Sequence, residues 1–426
     1  MEISEEEVVI VGGGIAGLAT ALALKRVGIR ALVLERSPEL RTTGAALTLF
    51  PNAWLALQAL GVAHKLISIY SPIRKGYVTN VANGATQLVS YKGINEMFSG
   101  PIAVHRRALL ETLAGELGPG TIRFSSKLTS IRTLAIDDEG SSAAILSLDD
   151  GTLIKAKVLV GCDGVHSVVA RWLGLKDPVN SNRSSIRSLA VFPQGHGFKQ
   201  EVHQFIDQGK RAGFVPLTDK ELYWFLTYSS TFNGEETTIT DPKLLQKDVM
   251  ENLAKDFPAV FLEVVQHADL ETLTWAPLMF RVPWDLIFGH VYKGSITVAG
   301  DAMHPMTPDL GQGGGSALED AVVLGRHLGN SYLSSNGRIV GVEAAKAIEE
   351  YVKERRWRAA SLITGSYLSG WVQQSGSTSF MNFFRDTIFY KFLYPRVFDG
   401  ANYDCGKLPS VSSSSSESDA AQTKID

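Results

Sequence analysis

The chain has 426 residues, of which 45% are hydrophobic and 20% charged, with a formal charge of −3 at pH 7. That length suits two or three domains with a real core, and the near-neutral balance leaves no electrostatic footprint for nucleic acid. Cys162 and Cys405 are the only cysteines and form no CxxC pair, which excludes a disulfide scaffold, a zinc cluster and a dithiol redox centre.

No apolar run approaches the roughly 18 residues of a membrane span, so no transmembrane segment is expected. The first strand begins by Val8, which leaves no room for a signal or transit peptide. A cytoplasmic location is the expectation. Residues 7–36, EVVIVGGGIAGLATALALKRVGIRALVLER, read as strand, glycine turn, helix and strand, a single βαβ unit. Inside it lies Gly12-x-Gly14-x-x-Gly17 with Ala16, and Glu35 ends the second strand. Glycines there permit a tight turn, close approach of a pyrophosphate and helix–strand packing, while the helix start supplies N–H donors. Glu35 stands where an acid accepts from ribose hydroxyls, so the unit predicts dinucleotide binding. Arg36 beside it is either a 2'-phosphate partner or a solvated surface arginine.

Farther along, Asn83-Gly84 marks a hairpin within residues 76–91, and residues 103–118 read as a helix. Residues 121–162 read as a β-meander turning at Asp149-Asp150-Gly151. Short aromatic-rich strands at 201–228 predict an antiparallel sheet separate from the parallel one. Phe214, Trp224 and Phe225 are candidates to line a pocket there, or to fill the core of a second domain. A strand over 294–299 ends in Gly300-Asp301, followed by Pro305, Pro308 and the glycines 311, 313, 314 and 315 before a helix. Stripping side chains from a helix start, where Ser, Asp or Asn would cap better, predicts close approach of something bulky and electron-rich. Helices follow at 317–328 and 342–363, and the serine-rich residues 411–426 predict a disordered tail.

Two stretches choose between dinucleotides. VLVGCDGVHSVVARWLG (158–174) resembles the Asp-Gly motif, and ITVAGDAMHPMTPDLGQGGGSALEDA (296–321) the Gly-Asp motif, of single-component flavin monooxygenases, the para-hydroxybenzoate hydroxylase-like class. With the N-terminal fingerprint these make three motifs in the family's order over residues 8 to about 330. FRVPWD (280–285) and YVKERRWR (351–358) look most like the plant branch with zeaxanthin epoxidase-like and salicylate hydroxylase-like enzymes.

The resemblance implies an α/β fold: a discontinuous Rossmann-like FAD-binding domain (1–72, 98–178, 280–366), a substrate domain with a mostly antiparallel sheet (73–97, 179–279) and a C-terminal helical segment (367–410). It implies that NADPH or NADH docks transiently to reduce FAD, that O2 adds to form a C4a-hydroperoxide, and that one oxygen passes to a small aromatic or isoprenoid-type substrate. Asp301 would accept from a ribityl hydroxyl, and the backbone of Gly311, Gly313 and Gly314 would lie along the isoalloxazine ring. Asp163 would meet the FAD ribose region, with Arg171 either helping there or simply exposed. Arg106, in preference to Arg107, would face the pyrophosphate and ribityl chain. Arg41, Gly44 and Ala45 would pass beside the ring, and Leu128 joins the same set. Pro305, His304 and Gly313 are the flavin-proximal candidates, His304 being a general base or a satisfied structural group; no substrate-activating base is identified. Gly315 departs from relatives that carry a cysteine or asparagine there. The rival expectations are a flavin oxidase or reductase without oxygen transfer, and a non-enzymatic lipid or prenyl carrier on the same fold.

Overall fold

The structure is a computed structural model and describes residues 3–41, 44–91, 93, 99–135, 142–229, 241–374 and 402–410. The expected tail, and residues 375–401 of the expected C-terminal helical segment, lie outside the described residues.

A mainly parallel sheet forms because its central strands carry near-continuous Val, Ile and Leu, with Tyr292–Lys293 antiparallel at one edge. Its order is Tyr292–Lys293, Ile296–Val298, Leu153–Gly161, Ile3–Val11, Leu32–Leu34, Ile122–Arg123. Val9 lies opposite Leu159 on one side and Leu32 on the other, and Leu159 opposite Ile296, so three strands end side by side at Val11, Gly161 and Val298. Helix Ile15–Arg26 is buried from Ala16 to Leu24 between this sheet and helix Gly313–Ser334. The two helices approach closely through small residues: a Cβ on Gly325 would strike Ala23, and one on Gly329 would sit 2.9 Å from Val27.

The second sheet runs Thr274–Phe280, Val179–Val191, Glu221–Ser229, Lys210–Pro216, Glu201–Asp207, Lys75–Asn80, Thr86–Ser90. Six strand contacts join these seven strands, and one of them is parallel, Glu201–Asp207 against Lys75–Asn80. The 76–91 hairpin thus joins this sheet across a long sequence separation. One face packs on Ala259–Gln266 in an aromatic core that includes Phe205, Phe214, Trp224 and Phe261. The other face turns toward the parallel sheet's strand ends.

Three sequence expectations shift. The expected helix at 103–118 begins as strand Ile102–His105, pairing with Ala46–Leu49, and turns helical only at Arg106. The meander comprises Leu128–Ala135, Ser142–Leu148 and Leu153–Gly161, whereas Ile122–Arg123 joins the parallel sheet. Ser125, at φ 49°, turns the chain between the two. The last helix extends to Gly341–Gln374 because its apolar face continues onto the second sheet.

Candidate active site

A cavity of about 530 Å³ opens between the strand ends of the parallel sheet and the free face of the second sheet. Helices Ile15–Arg26 and Gly313–Ser334 both start on it, and neither start has a side-chain cap, so backbone N–H groups at Gly14 and Gln312 onward are left for a ligand. Gly12 sits at φ +107°, and a Cβ there would collide with the Cys162 carbonyl. Gly17 packs on the Gly12 carbonyl, while Gly14 has nothing within 4 Å of a built Cβ. Gly12 and Gly17 serve the fold, and Gly14 leaves open space in the cradle.

Glu35 lines the cavity, its carboxylate accepting from Gly13 N–H at 2.7 Å and Ser37 N–H at 2.9 Å. These two bonds fix the carboxylate at the strand end and leave lone pairs for another donor. Ala16, Arg36, Arg41, Leu128, Asp163, Pro308, Gly311, Gly313 and Gly314 line the same space. Arg106 also lines it and donates to the Arg41 carbonyl at 2.7 Å, whereas Arg107 faces solvent and pairs with Glu111. Gly44, at φ +103°, lies beside the Arg106 side chain, with Ala45 buried next to it and outside the lining.

Asp301 is exposed and lines the cavity, and its carboxylate has no hydrogen-bond partner among the described residues. Burial pushes its pKa up, against the pull of His304, Arg106 and Arg187. An unsatisfied carboxylate on the floor of a cradle is a built acceptor for a hydroxyl. Gly300 holds φ +61°, and a Cβ there would also strike Ala16.

Other candidates fall elsewhere. His304 is fully buried behind the cavity, paired with Asp320 at 2.5 Å, and Pro305 is buried beside it; neither lines the cavity. Burial alone would lower the His304 pKa, but Asp320 raises it overall, and the pair sits in the protein interior rather than facing the cavity. Asp320 also takes the Gly300 N–H at 2.8 Å and Arg355 at 2.7 Å, thereby holding the backbone next to Asp301. Burial would raise Asp320, yet His304 and Arg355 bring it down to about 2. Glu319 completes this buried set, bonded by Arg355, Arg358 and Asn52. Gly315 belongs here too: a Cβ would come 3.0 Å from Asn52, so a side chain would press on the Asn52–Glu319 bond.

Asp163 borders the cavity, but its carboxylate accepts from Ser167 Oγ at 2.5 Å and Val168 N–H at 2.6 Å, capping helix Val168–Trp172. Arg171 is exposed and bonds backbone carbonyls. Cys162 is buried, and burial pushes its thiol up, as for an inert core residue.

On the second sheet, alternation decides the pocket. Trp224 is fully buried in the aromatic core and Phe214, though at the cavity edge, has its ring there as well. Phe225, Tyr223 and Thr227 point the other way, with Ser185 and Arg187 beside them and Arg211, Val215, Val202 and Gln204 beyond. Gly213 stands opposite Phe225, and its missing Cβ lets the ring lie across the neighbouring strand. Nothing local in the sequence marked Arg183, Arg187, Arg211 or Asp309. Asp309 has no exposed side chain, takes Arg183 at 2.7 and 3.0 Å, and meets Arg211 at 3.4 Å. It ties the turn before the glycine helix to the second sheet.

An uncapped pair of helix starts, an open glycine cradle and an unpaired carboxylate fit an FAD. The comparisons agree. Residues 5–366 match the FAD binding domain family, and the chain belongs to it, within the single-component, para-hydroxybenzoate hydroxylase-like FAD-dependent monooxygenases. The chain is 42% identical over 415 residues to "Monooxygenase 2" of Arabidopsis thaliana, covering 96% of this chain and 99% of that one. "Monooxygenase 1" of the same plant is 36% identical, covering 95% and 100%. Klebsiella pneumoniae HpxO, solved with FAD and uric acid, superposes with a TM-score of 0.77 at 22% identity, covering 94% of this chain and 96% of that one.

Proposed function

We propose that the chain takes electrons from NADPH or NADH through its FAD and inserts one oxygen atom of O2 into a small aromatic or isoprenoid-type substrate. The observation that carries this reading is a continuous cavity that joins the glycine cradle to the free face of the second sheet. Cofactor and substrate would then share one continuous space.

When bound, FAD supplies the redox chemistry and the activation of oxygen. The chain supplies position, charge and dryness. The N-terminus of Ile15–Arg26 and Arg106 would hold the pyrophosphate, Glu35 would accept from the ribose and Asp301 from the ribityl chain. The N–H groups at the start of Gly313–Ser334 would stabilise negative charge on the bound ring, at no cost of reorganisation. Phe225, Val215, Met306 and Leu310 exclude water from the substrate side.

The test is anaerobic mixing of the FAD-loaded protein with NADPH or NADH, with and without phenolic acids, indoles and terpenoids. Flavin bleaching accelerated by at least one compound is expected. Bleaching by neither donor under any condition would refute the reading.

A further inference from the structure

We propose that Asn52 is a positioning residue for flavin reduction. Its side-chain amide braces the first turn of Gly313–Ser334 from outside the cavity, so that the N–H groups there hold a reduced ring more tightly than an oxidised one. The inference rests on the placement of FAD in this cavity and on its redox role in the reading above.

A helix that begins Gly313-Gly314-Gly315 begins poorly. Each glycine costs about 1 kcal/mol relative to alanine in a helix, and no side chain caps this start. The turn would fray unless side chains from other elements held it, and two of them do. Asn52, near the start of helix Pro51–Ala59, is fully buried, and Gln312 is buried beside it. The Asn52 Nδ2 donates to Gln312 Oε1 at 3.0 Å and to Glu319 Oε1 at 2.5 Å. One amide thus ties the residue before the helix to a point about two turns inside it. Arg355 grips the stretch between them, its Nη2 donating to Ser316 Oγ at 3.0 Å and to the Ser316 carbonyl at 3.3 Å. The Asn52 Oδ1 has no partner among the described residues, so the amide's place is set by the two bonds it donates. Neither Asn52 nor Gln312 lines the cavity.

The glycines make room for this brace. A Cβ on Gly311 would come 3.0 Å from Phe50, one on Gly314 2.7 Å from Leu47, and one on Gly315 3.0 Å from the Asn52 amide. Three of these bare positions are therefore filled by the stretch from Leu47 to Asn52. At Gly313 the nearest atom to a Cβ is 3.9 Å away, and this glycine borders the cavity. The first N–H groups of a helix have no partner within it, and they form its positive end. A hydride from NADPH or NADH carries two electrons and one proton, so a neutral oxidised ring gains one negative charge. N–H groups already held in place meet that charge without reorganising, and a frayed turn does not.

The test measures the midpoint potential of FAD-loaded protein against a reference dye, with dithionite as reductant. The dissociation constant of oxidised FAD is measured by titrating cofactor-free protein. Asn52→Leu keeps the side-chain volume and leaves Glu319 bonded to Arg355 and Arg358. Reduced FAD should weaken about tenfold more than oxidised FAD, which lowers the potential by about 30 mV. Gln312→Leu should give the same shift, and the double variant no more than either alone, because both remove one contact. If Asn52→Leu fails to fold, Gln312→Leu carries the comparison. A residue that merely stabilised the fold would affect both redox states alike and leave the potential in place. A wild-type potential in the variants, equal weakening of the two redox states, or additive shifts in the double variant would each overturn the inference. None of these outcomes involves a nicotinamide donor or a substrate, so the monooxygenase reading stands or falls separately, on flavin bleaching by NADPH or NADH.

Discussion

Gly12 and Gly14 stand two residues apart in one turn, yet substitution should affect different things. At Gly14 the backbone has φ −84° and ψ −170°, open to any residue, and a Cβ would meet nothing within 4 Å. Gly14→Val should therefore leave the cofactor-free protein nearly intact, at a cost of about 0.5 to 1 kcal/mol for a poorer residue at the helix start. Its side chain would occupy the cradle and separate an anion from the N–H groups. Loss of two charge-assisted contacts at about 1.5 to 3 kcal/mol each weakens FAD by roughly 10² to 10⁴. With FAD at a hundred times the wild-type Kd, binding adds about 2.7 kcal/mol of stability to the wild type. If the Kd rises a hundredfold, the same FAD adds only about 0.4 kcal/mol. Gly12→Ala should behave in the opposite order: at φ +107°, with the Cys162 carbonyl in the way, the cofactor-free fold itself should lose at least about 2 kcal/mol. Urea unfolding of both variants, with and without FAD, separates the cases. Wild-type FAD stabilisation in Gly14→Val would refute the placement of the cofactor in this cradle.

Asp301→Asn should keep the fold and weaken FAD by roughly ten- to a hundredfold, measured by titrating cofactor-free protein. Gly313→Val should fit the empty protein, since a Cβ there lies 3.9 Å from Met306 and 4.0 Å from Asp301, yet lower the flavin reduction potential and slow its reduction. Gly337→Val, at φ +72° in a polar turn, should cost only local stability, and equal reduction rates in the two variants would contradict the assignment. Arg355→Met leaves Glu319 and Asp320 buried without their shared cation and should cost about 3 to 5 kcal/mol by urea unfolding. Asp320 has its pKa lowered to about 2, so its stabilisation is present above the ordinary carboxylate range near 4 and is lost as pH falls toward 2. Asp320→Asn should flatten the pH dependence of unfolding over that window.

How far the site can be read from sequence depends on how local its signals are. Gly12, Gly14, Gly17 and Glu35 lie within one βαβ unit, and Gly311, Gly313 and Gly314 within one turn and the helix start after it, so their spacing alone marks a candidate site. The sheet wall is different. Trp224 and Phe225 are neighbours, and only the strand register decides that the first fills the core and the second faces the cavity. Arg187, Arg211 and Asp309 converge from three distant parts of the chain and carry no motif. His304 shows the converse: it lies inside a recognisable motif, but its partner Asp320 turns it away from the cavity. Asp163, in the same way, is drawn into capping a short helix through Ser167.

The central claim is that this cavity transfers oxygen, and isotope labelling tests it most directly. FAD-loaded protein is supplied with NADPH, ¹⁸O2 and whichever compound most accelerates flavin reduction, and the product is weighed by mass spectrometry. One atom of ¹⁸O per product molecule, formed in step with NADPH consumed, is the expected result. Full recovery of the consumed oxygen as hydrogen peroxide, with no labelled product from any compound that accelerates reduction, would contradict it.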